Sequence, residues 1–287
     1  MTVTSHDATG GVGSSVSAPL QYLAPGSHQN RLYIAPGEHL TTTAYESRVV
    51  PIANGRPHRD EFQLDRNGFV LTDHHSSVSD FRDADQIERI YAGEATDLVQ
   101  RLTGADHVVC LGWVLRSAGA DKKGAQPTAP DVHVDVHPDR APLRAARIHA
   151  EKGLPGRSFR RALFTSLWRT FSTPPQDWPL AVCDYRSTDD AEGKPNYMFN
   201  VDALPDPVPD VVDEQQAITA ATVFPFNPDH RWWYFPDMTA DEALLFKLHD
   251  SDHTVAWRTP HTAFRDSGVS AAHPRESVEL RTMAYFY

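Results

Sequence analysis

The segment Asp131-Val132-His133-Val134-Asp135-Val136-His137 alternates polar and apolar residues over seven positions. In an extended strand, side chains at i and i+2 share a face, so the four polar residues fall on one side and the three valines on the other. His133 and Asp135 can then reach a single ion together. Two neutral imidazoles and one carboxylate on one side of an iron(II) ion leave the opposite positions open for a co-substrate and dioxygen. The third ligand must come from a distant strand, and His230, His249, His253, His261 and His273 are the candidates. His261 is preferred because Arg275 and Ser277 follow it, the arginine at 275 − 261 = 14 positions. A guanidinium fork grips a carboxylate through two bonds and a nearby hydroxyl can add another, which suits the distal carboxylate of 2-oxoglutarate. A second match, His137-Pro138-Asp139, is set aside because the proline breaks the strand.

The elements that must position these residues read as follows. Residues 1–20, rich in Ser, Thr, Gly and Ala, are expected to form a disordered tail, with one catalytic domain over 21–287. Phe62 to Leu71 predicts a hairpin around Asp65-Arg66-Asn67-Gly68. Asp80 to Thr103 has helical period and stops at Gly104. His107 to Leu115 predicts a buried strand, residues 117–130 a loop, and Arg140 to Lys152 a helix. Phe164 to Phe171 and Trp178 to Tyr185 predict strands, and Pro205 to Pro209 a loop. The capping-box spacing Thr239-x-x-Glu242 before Ala243-Leu244-Leu245-Phe246 predicts a short buried helix. Strand-like stretches return at Ser277–Arg281 and Ala284–Tyr287. Strands on both sides of helical additions fit a mainly β fold, a distorted double-stranded β-helix or jelly-roll of the cupin-like kind.

Bulk properties narrow the function classes. A formal charge of −11 over 287 residues excludes a phosphate-binding surface of the kind nucleic acids need. The basic stretches Arg140–Lys152 and Arg157–Arg161 fit a substrate-facing rim. Cys110 and Cys183 lie in apolar runs and read as buried thiols of a reducing cytosol, so a cytoplasmic protein is expected. No run approaches the ~18 apolar residues of a membrane span. A homodimer is the candidate assembly.

From about Arg48 to Arg281 the chain resembles the hydroxylase/desaturase family of secondary metabolism, whose relatives include a fungal gibberellin desaturase and a bacterial cephamycin 7-methoxylation protein. The matching blocks include Leu64-Asp65-Arg66-Asn67-Gly68-Phe69, Val132-His133-Val134-Asp135, Trp178 to Ser187, His230 to Thr239, Pro260-His261-Thr262-Ala263-Phe264 and Pro274 to Arg281. The resemblance implies an Fe(II)/2-oxoglutarate-dependent dioxygenase that hydroxylates, desaturates or oxidatively cyclises a small secondary metabolite or amino-acid-derived substrate, as in antibiotic biosynthesis. It departs from the family at Ser166-Leu167-Trp168-Arg169-Thr170, where relatives tend to read Asn-x-Trp-Arg-Pro.

Trp168, Trp232, Trp233 and Tyr234 read first as core aromatics, with Trp168 the one chosen to line the pocket. Arg169, Arg186 and Arg281 are either salt-bridge partners or anchors for an anionic, carboxylate-bearing substrate. Arg169 is preferred as anchor, with Arg281 beside it. Two rivals share these residues: a metal oxygenase independent of 2-oxoglutarate, in which Arg275 binds the substrate itself, and a non-catalytic partner of a biosynthetic enzyme.

Overall fold

A computed structural model describes residues 15–119, 124–154, 156 and 158–287. Two sheets face each other. The ten-stranded sheet runs β1 (Val16–Leu23), β4 (Tyr45–Asn54), β12 (Trp232–Tyr234), β9 (Leu180–Cys183), β14 (His261–Ala263), β7 (His133–Val134), β11 (Thr219–Val223), β10 (Lys194–Asn200), β2 (Arg31–Ala35) and β3 (Glu38–Thr41). The five-stranded sheet runs β5 (Phe69–Asp73), β13 (Glu242–Asp250), β8 (Arg161–Thr170), β15 (Glu276–Phe286) and β6 (His107–Ser117). The mainly β, jelly-roll expectation holds.

Period-two alternation sorts the five-stranded sheet into two faces. Trp168, Leu244, Phe246 and Met283 join the core between the sheets. Leu167, Ala243, Leu245, Val278 and Leu280 point the other way. That outer face is covered by α2 (Ala84–Gln86), a π turn (Ile87–Tyr91) and α3 (Ala92–Thr103), through Ile87, Tyr91, Ala95, Leu98 and Val99. The helical period expected over 80–103 is therefore real. Asp83 caps its start by accepting from the amides of Asp85 and Gln86, and Gly104 ends it at φ 69°. The helix expected at 140–152 appears as α4 (Ala141–Glu151), which buries Ala141, Ala145 and Ile148.

Four expectations need correction. The proposed tail reaches too far. Residues 1–14 lie outside the described residues, but Val16 to Leu20 belong to β1, where Ala18 and Leu20 are buried in alternation. The Phe62–Leu71 hairpin is instead one helical turn, α1 (Leu64–Asn67), closed by Gly68 at φ 90°. Asn67 decides this, because its buried side chain accepts from the Gln63 amide and donates to Asp184. The helix after Thr239 is instead β13, buried throughout. A continuous apolar run has no period to separate strand from helix, and Glu242, which accepts from the Thr239 amide, closes a turn into the strand. Finally, β6 is an edge strand and mostly half-buried.

Candidate active site

His133 and Asp135 project from the strand that carries β7, with Val132, Val134 and Val136 buried on its opposite face. Only His133 and Val134 pair as strand, yet the alternation persists to either side. β14 lies beside β7 and sets His261 directly across from His133, the rings 4.5 Å apart. One donor atom each from His133, Asp135 and His261 lies within 4.8 Å of the others, and no other such metal-holding group occurs among the described residues. His133 Nε2 is 3.6 Å from Asp135 Oδ1.

Both imidazoles are oriented from behind. His133 Nδ1 donates to the Asp131 carbonyl at 2.8 Å and His261 Nδ1 to the Thr259 carbonyl at 3.0 Å. In the neutral ring each tautomer is thereby fixed with its Nε2 lone pair turned away from that carbonyl. Thr259 is held in turn, since its hydroxyl donates to the Gly68 carbonyl at 2.8 Å. Burial and the neighbouring His133 push the His261 pKa down to about 3, which keeps it a neutral donor. His133 is raised to about 9, because the carboxylates of Asp131 and Asp135 outweigh its burial. A metal binding here displaces that proton. Asp135 stays ionised although burial opposes it, through Arg281 and the two histidines.

The other histidines lie elsewhere. His230 is held between Tyr22 and Glu192, His249 packs against His253 and Trp257, and His137 pairs with Asp139. His273 is exposed.

Arg281 differs from expectation in function. Its Nε donates to Asp135 Oδ2 at 3.0 Å and to Glu279 Oε1 at 2.9 Å, and Glu279 also lies 3.5 Å from Arg116. Arg281 thus fixes one carboxylate oxygen and leaves the other toward the histidines. Such outer partners typically govern metal affinity by about 10–100-fold. Arg281→Met is expected to weaken iron(II) binding within that range in competition with a chelator, and unchanged binding would dismiss this role.

Arg275 stands on the opposite wall, immediately before β15, 1% exposed, with its guanidinium over the Trp168 ring at 5.5 Å. Its Nε and one terminal nitrogen have no partner, and neither has the buried hydroxyl of Ser277 or of Ser166. Burial lowers the Arg275 pKa to about 9, so the group is still a cation at neutral pH. A small pocket joins Arg275 and Trp168 to His133 and His261. Buried donors without acceptors are what a bound carboxylate would satisfy. The donor set therefore fits iron(II) and a keto acid.

Arg169 is not brought here. Odd residues of β8 face the helices, and Arg169 donates to Tyr91 Oη and to the carbonyls of His74 and Ala240, with His74 Nδ1 also against it. Its charge is spent inside the fold, so it is withdrawn as substrate anchor. Arg186, itself exposed, is paired with the buried Asp184. Trp232 donates to Tyr22 Oη within the core.

A cavity of about 900 Å³ opens beside His133 and Asp135. Arg116, Arg140, Arg144, Arg147 and Arg281 line it. The rim role read for the stretch from Arg140 thus has a structural counterpart, but Arg116, Arg144 and Glu279 were not singled out. The inward row Arg275, Ser277, Glu279, Arg281, separated by Val278 and Leu280, was the available signal for Glu279.

A family model described as an oxidoreductase/YMDC permease-like domain matches residues 20–285. The hydroxylase/desaturase CTB9 of Cercospora beticola is 32% identical over 259 residues, covering 84% of this chain and 78% of that protein. The Fe(II)/2-oxoglutarate-dependent dioxygenase nvfI of Aspergillus novofumigatus is 28% identical over 256 residues, covering 87% of each. A solved structure of the iron and alpha-ketoglutarate-dependent endoperoxidase NvfI aligns with a TM-score of 0.80 at 26% identity, over 95% of this chain and 98% of that one. The chain belongs to this oxidoreductase family, among the hydroxylase/desaturases and Fe(II)/2-oxoglutarate-dependent dioxygenases of secondary metabolism. No described helix is long and apolar enough to cross a membrane.

Proposed function

We propose that His133, Asp135 and His261 hold the iron(II) of this dioxygenase and that Arg275 and Ser277 hold the distal carboxylate of its 2-oxoglutarate. The observation that carries this is one pocket that joins His133 and His261, two of the three converging donors, to the guanidinium of Arg275, which has partnerless nitrogens as the nearby Ser277 has a partnerless hydroxyl. When bound, iron(II) and 2-oxoglutarate activate dioxygen for removal of a substrate hydrogen. The chain's own share is positional. Asp131 and Thr259 aim the imidazoles, Arg281 fixes the carboxylate, and Trp168 and Phe246 wall the pocket against water.

The substrate is a small molecule, for which we propose a carboxylate-bearing metabolite held in the larger cavity. Residues from Val16, where β1 begins, to 287 would act as one catalytic domain, a reading favoured because each sheet draws strands from distant parts of the chain. A homodimer and a cytoplasmic, reducing location complete the proposal, the latter in keeping with free thiols at Cys110 and Cys183.

The test is binding and turnover on one preparation. 2-Oxoglutarate is expected to bind only with metal present, and iron(II), 2-oxoglutarate and dioxygen together should release succinate. Chelation should stop both and iron(II) restore them. Metal binding without any 2-oxoglutarate binding would favour the oxygenase in which Arg275 takes the substrate, and absence of metal binding would sink the enzyme reading altogether.

A further inference from the structure

The large cavity has five arginines in its lining, and all but one are already occupied. Arg140 donates to the Glu214 carbonyl and lies over Tyr197. Arg147 pairs with Glu151 at the surface. Arg116 and Arg281 share Glu279, and Arg281 also holds Asp135. Arg144 differs: among the described residues no carboxylate or carbonyl is hydrogen-bonded to its guanidinium, which lies over the Phe164 ring at 5.3 Å.

Arg144 is half-buried on the turn of α4 between Arg140 and Arg147. It lines the same cavity as His133, Asp135 and Arg281, and burial lowers its pKa. A cation partly withdrawn from water without a counter-charge is unfavourable until a ligand supplies one. The rest of the lining is mixed, with Leu32, Leu111 and Met198 in the wall beside Thr41, Gln126 and Asn196. At the mouth, Ile34, Leu143 and Ile218 are exposed by 36%, 74% and 55%. Exposed apolar side chains gathered at a cavity mouth suit an apolar guest.

We propose that Arg144 is the receptor for a carboxylate on the substrate, whose apolar body fills the remainder of the cavity and carries the reacting carbon toward His133 and Asp135. The volume suits a drug-sized skeleton. One guanidinium fork matches one carboxylate in charge and shape, whereas a dianionic phosphate would keep an uncompensated charge. This assignment rests on the proposed metal site only for the direction in which the substrate points.

The test compares 1-adamantaneacetate with 1-adamantaneethanol, which share an apolar cage and differ in charge. Binding is measured by anaerobic calorimetry on iron(II)-loaded protein, with and without 2-oxoglutarate. The carboxylate should bind the wild-type protein roughly 10- to 150-fold more tightly than the alcohol, the range for a hydrogen bond to a charged group. Arg144→Gln should erase that preference while alcohol affinity and 2-oxoglutarate affinity stay unchanged, and Arg144→Lys should restore part of it. Equal binding of the two probes by the wild type, no carboxylate binding, or a preference that survives in Arg144→Gln would each overturn the assignment. Failure of wild-type protein to bind 2-oxoglutarate would instead remove the co-substrate reading, and the comparison without 2-oxoglutarate would still decide on Arg144.

Discussion

His261→Ala is expected to yield a folded protein that loses iron(II) on desalting and releases no succinate above background. His261 contributes one of three donors, and its replacement leaves His133 and Asp135, at i and i+2 of one extended segment, to hold the ion alone. Changes to outer partners of a metal site already cost about 10–100-fold in affinity, so loss of a ligand should exceed roughly 100-fold. The backbone has little reason to collapse, because β14 stays paired to β9 through Thr262 and Ala263. Coincident thermal unfolding of variant and wild type without metal, combined with a lost iron titration, is the expected pair of results. Retained iron and retained turnover would show that the site lies elsewhere.

Arg275→Leu should move two measurements in opposite directions. Truncating one member of a buried, hydrogen-bonded charge pair costs about 2–5 kcal/mol, so 2-oxoglutarate affinity should fall roughly 30- to 4,000-fold. The protein without co-substrate should become more stable. A buried cation with two unsatisfied nitrogens is unfavourable in the empty pocket, and apolar replacement of buried ionic groups commonly gains about 1–4 kcal/mol. Calorimetric unfolding without ligands, beside equilibrium binding of 2-oxoglutarate, checks both signs. A fall in stability together with intact binding would mean that Arg275 serves the fold and that the co-substrate is held by another group.

The parts of the site legible in the sequence were those written as alternation. His133 and Asp135 share a face because valines occupy the positions between them, and this holds even where the ladder pairs only two residues. Arg275 and Ser277 repeat the pattern. His261 was harder, since nothing local distinguishes it from His249 or His230, and its place depends on β14 landing beside β7. The same alternation carried an unused warning about Arg169. With Trp168 facing the pocket, its neighbour had to face the helices, where Tyr91, His74 and Ala240 receive it. β13 was misread for the converse reason, because a strand buried on both faces carries no period. α1 was hidden by Asp-Arg-Asn-Gly, which serves a hairpin or a helix end equally well until the tertiary partner Asp184 is known.

The two faces of β8 and β15 carry different duties on alternate residues, and this limits how such a protein can change over time. Inserting or deleting one residue within either strand would invert every side chain beyond it, sending Arg281 toward the helices and Leu167 or Val278 into the pocket. Lineages of this fold can therefore exchange side chains at the site one by one, whereas length variation is confined to the connecting loops. New chemistry on this scaffold must be reached by substitution in a fixed reading frame of the strand.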